Sequence, residues 1–237
     1  MAASFAEFRD VVVIGGCCYG TFYLDQLCTA RGRGLAAWRR LILVDRNPGC
    51  AAAQRTLPEG VELVTAEWGD FLGAFLRDGD RAAGDRLVPS PLMPHLLLEW
   101  LVRRVRERTP QRRVTVGGGA PCGTPFESVG PDGTRYVSHA DWICPVHCIE
   151  PAICPAIRAP RTWDMTETCR AAAPFGATVA VFACHHAVFG VGMIDVSGML
   201  AADAALARAG EAGTPLEVLV GTVSRCHGAV TRVALDA

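Results

Sequence analysis

Residues 141–155, DWICPVHCIEPAICP, place three cysteines, three prolines, a histidine and a glutamate in fifteen positions. No other stretch limits the fold as strongly. Pro145, Pro151 and Pro155 remove backbone donors and fix φ, so no helix or central strand can run through the segment. Its order has to come from something other than a backbone ladder, and a bound metal ion or cluster is one source. Thiolates are soft ligands suited to zinc or an iron–sulfur centre, and Cys144, Cys148 and Cys154 are close enough along the chain to converge on one ion. Their spacing, Cys-x3-Cys-x5-Cys, is neither that of a zinc knuckle nor that of a ferredoxin run. Cys122 and His139 are candidates to complete the set, as is His185. His147 is a further candidate, although its place between two ligands makes simultaneous coordination difficult. The alternative is a proline-rich loop whose cysteines serve as small buried hydrophobes.

Composition excludes several classes of function. The formal net charge is −1 with dispersed charges, which gives no surface for nucleic acid. All 23 cationic residues are arginine, so lysine Schiff-base and lysine general-base chemistry are closed to this chain. No run of about twenty apolar residues occurs, and no membrane helix is expected. The first twenty residues carry no basic segment ahead of the short apolar run and read as a first strand, not a signal peptide. The protein is therefore expected in the cytoplasm, where its 11 cysteines act as ligands, reactive thiols or core filler more readily than as disulfides.

From residue 10 the chain reads DVVVIGGCCYG, a β-branched run that ends in glycines and leads into an apolar-periodic stretch over residues 21–28. A second run at residues 41–44 ends on Asp45, a short helix follows over residues 49–56, and residues 61–64 make a third strand. Residues 86–88 are a fourth strand with SPLMP as its loop, residues 95–108 an amphipathic helix with Leu96, Leu97, Trp100, Leu101 and Val105 on one face, and residues 112–116 a fifth strand. Strands alternating with helices imply a parallel sheet with right-handed crossovers.

This pattern resembles the Rossmann NAD(P)-binding superfamily, loosely the NAD-binding domains of potassium-channel regulators and precorrin-2 dehydrogenases. The resemblance implies a mostly parallel α/β sheet over residues 1–118, a Cys/Pro-rich insertion over residues 119–170, and residues 171–237 completing the sheet with an antiparallel finish. It also implies a dinucleotide, NAD or NADP, on Gly15, Gly16, Cys17 and Gly20, with Asp45 reaching a ribose. Gly15 and Gly20 occupy the first and third glycine places, and Cys17 stands where the middle glycine would be. The physical reasons hold without the name: a glycine turn lets backbone approach a pyrophosphate, and the following helix offers free N–H groups and its positive end.

Ser90 and His95 fall where open α/β sheets place ligands. Arg158 and Arg161 near Trp163 suit either a bound anion or pairing with Glu150 and Asp164. Residues 178–184 form a buried strand ending at His185 and His186, whose side chains point to opposite faces, so one of them is expected to face a site as proton carrier. Ser197 caps a helix through Ala207, and residues 216–223 with 229–235 make two antiparallel strands. The leading expectation is an oxidoreductase acting on a small molecule with a nucleotide cofactor and a cysteine-ligated metal or cluster. A nucleotide, metal or redox sensor without turnover is the alternative, and a SAM-dependent methyltransferase fits the first turn less well.

Overall fold

The structure is a computed structural model and describes residues 5–81, 83–91, 93 and 95–237. Its elements run β1 (Ala6–Ile14), α1 (Cys18–Gly32), β2 (Ala36–Asp45), a 3-10 turn (Ala51–Gln54), β3 (Val61–Thr65), α2 (Trp68–Arg77), β4 (Arg86–Val88), α3 (Leu96–Arg108) and β5 (Val114–Gly118). The remainder is β6 (Phe126–Val129), β7 (Arg135–Ser138), β8 (Ile153–Cys154), β9 (Ala159–Pro160), α4 (Met165–Ala171), β10 (Thr178–His186), β11 (Gly192–Asp195), α5 (Val196–Glu211), β12 (Leu216–Val223) and β13 (His227–Leu235). The SPLMP loop was expected after β4; Leu92 and Pro94 of that loop lie outside the described residues.

The chain divides into two compact units, each assembled from three stretches. The first holds residues 1–96, 145–151 and 185–197, and the second residues 97–144, 152–184 and 198–237. The boundaries cut through the proline-rich segment, so its cysteines are shared out: Cys148 belongs to the first unit, Cys144 and Cys154 to the second.

In the first unit β3, β2, β1 and β4 lie side by side and parallel, with Ile14 opposite Val44, Asp45 opposite Thr65 and Val13 opposite Val88. Strand β11 joins β4 antiparallel. Val11, Val12, Val13 and Ile14 are almost wholly buried, as a continuous apolar run must be when both faces of a strand are covered. Leu24, Leu27 and Ala30, one stripe of α1, share a core with Val11, Val13, Leu41 and Leu43. Asp10 sits within β1 with no solvent exposure and accepts hydrogen bonds from Arg39 (2.9 Å), Arg40 (2.7 Å) and Arg81 (3.2 Å). Burial alone would raise its carboxyl pKa, but those three arginines hold it far below the usual carboxylate range.

In the second unit β12 pairs parallel with β10 and antiparallel with β13, whose two halves take β7 and β5, with β6 beyond β7. Strands β8 and β9 form a separate two-residue ladder. Helices α3 and α5 are tied by Asp203, which receives Arg104 Nε at 3.3 Å and Arg108.

The expected mostly parallel, Rossmann-like α/β sheet is overturned. Eleven strands of mixed direction, apart from the small β8–β9 ladder, accompany five α-helices among the described residues, and antiparallel pairings outnumber parallel ones. Connection length gives the reason. The links between β6 and β7 and between β12 and β13 are too short for a crossover, so those pairs can only run antiparallel. The strand expected at residues 112–116 does form, as β5, but it adds to β13 in the opposite direction instead of extending the parallel set. The antiparallel finish at β12 and β13 is as expected. The helix expected at residues 49–56 is reduced to a 3-10 turn.

Candidate functional site

The residues expected to hold a nucleotide come together in the first unit, at the carboxyl end of its parallel strands. Gly15 follows β1 with φ +95, a conformation side chains disfavour, and its amide donates to Val44 at 2.7 Å. Gly20 lies against it so closely that a Cβ there would stand 1.7 Å from the Gly15 carbonyl oxygen. Only glycine lets α1 begin at this point. Helix α1 has Cys17 at its N-cap without a side-chain cap and no acid in its first turn, while Cys17, Cys18 and Tyr19 are exposed. The first intrahelical bond is Thr21 to Cys17, at 2.9 Å, so the amides of Cys18, Tyr19 and Gly20 have no acceptor within the helix. Above Gly15 the nearest side chains are Trp68 and Ser90, 3.8 and 3.9 Å from where a Cβ would stand.

Asp45 takes a different place from a ribose contact on a rim. Its carboxylate is buried and accepts the Gly16 amide at 2.6 Å and the Asn47 amide at 2.8 Å. Gly16 is covered in turn: a Cβ there would meet Cys50 Sγ at 2.6 Å, and the Ala52 amide donates to the Gly16 carbonyl at 2.8 Å. Asp45 therefore fastens the turn from beneath, and the exposed cation nearest it in sequence is Arg46, which stands 5.7 Å over the Trp68 ring.

The histidines at the end of β10 also belong to the first unit. His185 is exposed, whereas His186 Nδ1 lies 3.0 Å from the Cys148 carbonyl and its amide donates to Glu150 at 3.4 Å. A carbonyl can only accept, so Nδ1 of His186 carries a proton, which leaves Nε2 as the ring nitrogen able to take one up. The segment bearing Cys148 is held by close approach. A Cβ on Gly190 would stand 2.1 Å from the Val146 carbonyl oxygen. Glu150, at φ +52, donates its amide to Cys148 Sγ at 3.4 Å.

In the second unit the sulfur of Cys154 is buried, which by itself raises the thiol pKa. Hydrogen bonds from the Ile157 and Ala156 amides and from Arg161 reverse this and lower it. Arg158, at φ +55, closes the turn through its amide to the Cys154 carbonyl at 2.8 Å. Asp164, expected beside Arg158 or Arg161, instead caps α4 through Thr166 at 2.9 Å and meets Arg225 at 3.3 Å. His139 lies on the Trp163 ring, 6.0 Å between centroids, with Nε2 3.1 Å from Thr168 Oγ1, and burial lowers its pKa. Cys122 packs against the buried cluster that holds Cys169, a neighbour sequence reasoning missed. Nothing in the pattern around Cys169 marks it, because the two lie far apart in the chain. Among the described residues no three His, Cys, Asp or Glu side chains form a group able to hold a metal ion.

The units thus define a protein built on strands of mixed direction, with a backbone-lined strand-end turn in one unit and sulfur-bearing loops in the other. Residues 97–236 match the family AF_1314_C, described as "uncharacterized protein, C-terminal domain", and, with more than half its length matched, the chain belongs to that family. No curated protein and no solved structure matches it. No helix among the described residues is long and apolar enough to cross a membrane.

Proposed function

We propose that the protein is a cytoplasmic oxidoreductase whose first unit takes a dinucleotide, NAD or NADP, with its pyrophosphate against the Gly15–Gly20 turn. The carrying observation is the turn itself: Gly15 at φ +95 leads into a helix with no side-chain cap, no first-turn acid and three amides lacking helical acceptors. Such an end favours a diphosphate through both its amides and its dipole. Hydride transfer is the chemistry that such a cofactor supplies when bound. The chain's own part is to hold and to move a proton. Asp45 keeps the Gly16 amide and the following loop fixed, so the turn does not relax when a ligand enters. His186, with Nδ1 given to the Cys148 carbonyl, offers Nε2 as base toward a small-molecule substrate.

A second reading, a redox sensor without turnover, is favoured by Cys154, whose sulfur gathers donors from two amides and Arg161. Titration with NAD, NADP, FAD and SAM tests the binding claim. Trp68 beside Gly15 gives the readout, since a bound reduced nicotinamide would quench it. Saturable binding of NAD or NADP is expected, and binding by none of the four overturns the reading. Binding without turnover across a panel of small alcohols, aldehydes and hydroxy acids favours the sensor.

A further inference from the structure

We infer that Cys122 and Cys169 form a redox-active dithiol that exchanges with low-molecular-weight disulfides, a site independent of the nucleotide reading and built wholly within the second unit. The two thiols share one core: Cys122 packs on the buried cluster of Val137, Met165, Cys169, Leu219, Val223 and Val230, close enough that each thiol shifts the other's ionisation. They reach this position from separate elements. Cys169 projects from α4 with no exposure, seated near Gly221 of β12. Cys122 comes from the loop ahead of β6 and is only half-buried.

That loop is tightly held. Glu127 Oε1 accepts the Cys122 amide at 3.0 Å and the Thr124 amide at 2.9 Å. Its other oxygen takes Arg135 at 3.0 Å, and Arg135 Nε donates to the Gly119 carbonyl at 2.9 Å. Fastening on both sides of residue 122 fixes its backbone beside the cluster that holds Cys169. Side chains packed in one cluster need a short approach of their sulfurs to bond, whereas cysteines on diverging backbones would need the backbone to move.

The two thiols are unequal in the way a disulfide-exchange pair requires. Contact with Cys169 lowers the Cys122 pKa, against burial and Glu127 which raise it, while the same contact together with burial raises Cys169. Cys122, reached by solvent where Cys169 is not, is the attacking thiolate and Cys169 the resolving thiol. In the first step the Cys122 sulfur attacks one sulfur of a disulfide RSSR; its S–S bond breaks and RS⁻ leaves, taking a proton from water. In the second, Cys169 gives its proton to solvent and attacks the Cys122 sulfur of the mixed disulfide, expelling the second RS⁻. Two protein thiols are oxidised by two electrons and one small disulfide is reduced to two thiols.

The test uses the folded full-length chain equilibrated with excess glutathione disulfide, then alkylated and mapped by mass spectrometry. A cross-linked peptide pair joining Cys122 to Cys169 is expected, reversible by reduced glutathione. The Cys169→Ser variant should accumulate one glutathione on Cys122, and Cys122→Ser should leave Cys169 unmodified while the protein stays folded by circular dichroism. Should Cys169→Ser fail to fold, Cys169→Ala serves, and the wild-type map decides on its own. Cys122 and Cys169 recovered as alkylated thiols after equilibration, or each joined to a different cysteine, overturns the inference.

Discussion

Asp45 of the first unit and Cys169 of the second are both buried polar groups beside a loop that leads into regular structure, yet they are satisfied in opposite ways. Asp45 is held by two backbone amides, donors that the fold supplies permanently. Cys169 packs with another thiol, a neighbour able to become a covalent partner. A group satisfied by backbone can only be structural or lost; a group satisfied by its own kind can change state without leaving unpaired polar atoms behind. This separates what each unit offers: a rigid backbone-lined turn in the first, convertible sulfur in the second.

The largest expected effect is at Asp10, a carboxylate of the first unit with no solvent exposure. Asp10→Ala leaves Arg39, Arg40 and Arg81 facing a vacated site and should cost about 3 kcal/mol, the low end for breaking a buried pair because Arg39 and Arg40 are partly exposed. A lower urea midpoint reads it. The pH dependence has a definite sign. Because the folded carboxyl is depressed, its contribution is complete above the unfolded pKa of about 3.9 and is lost as pH falls from there toward the folded value. Wild-type stability should therefore fall below about pH 4 more steeply than that of Asp10→Asn, measured by unfolding at stepwise lower pH.

Closing the Cys122–Cys169 bridge should raise stability by about 2 kcal/mol, below the chain-entropy value for so long a loop because the sulfurs must move together to bond. Denaturant curves of glutathione-oxidised and reduced protein check it, and equal midpoints with the bridge formed would mean that closure strains the fold. Asp45→Asn comes next, at about 1 to 2 kcal/mol. One of the two amides then faces an NH2 group instead of an acceptor, and nucleotide affinity should fall with stability as the turn loosens.

Legibility in the sequence divides along the same line. The glycine turn was readable because its parts are local: Gly15 and Gly20 are five apart, and the β-branched run and apolar helix stripe around them announce strand and helix. The purpose of Asp45 was not readable, since an acid ending a second strand looks the same whether it reaches outward to a ribose or inward to the Gly16 amide. Sheet direction was misread at β5, which adds antiparallel to β13, because an apolar run states that a strand exists and not which neighbour it adds to. Cys169 was invisible as a site residue, sitting inside the short helix MTETCRA with no motif about it, and only the fold brings Cys122 to it. The proline-rich segment was correctly excluded from long elements, but nothing local shows that its cysteines divide between two units.

The smallest effect, and the most direct probe of the first unit, is Cys17→Gly. Cys17 stands where the resemblance calls for a glycine, yet its φ is −94, so the backbone there is not one that side chains disfavour. Its side chain is exposed and makes no cap bond to α1. Replacement by glycine therefore removes no contact and relieves no strain, and stability should change by no more than about 0.5 kcal/mol, with the sign set by the greater freedom of the unfolded chain. What changes is the space over the amides of Cys18 and Tyr19. With a thiol gone from that space a pyrophosphate can settle nearer those donors, and NAD or NADP affinity should rise about threefold to tenfold, a gain of about 1 kcal/mol. Trp68 fluorescence titration of both proteins measures it. Cys17→Ser, of nearly the same volume as cysteine, should leave affinity close to wild type and so separates crowding from sulfur chemistry. If Cys17→Gly bound no more tightly while Asp45→Asn still weakened binding, the ligand would be held by the loop after β2 instead of by the start of α1.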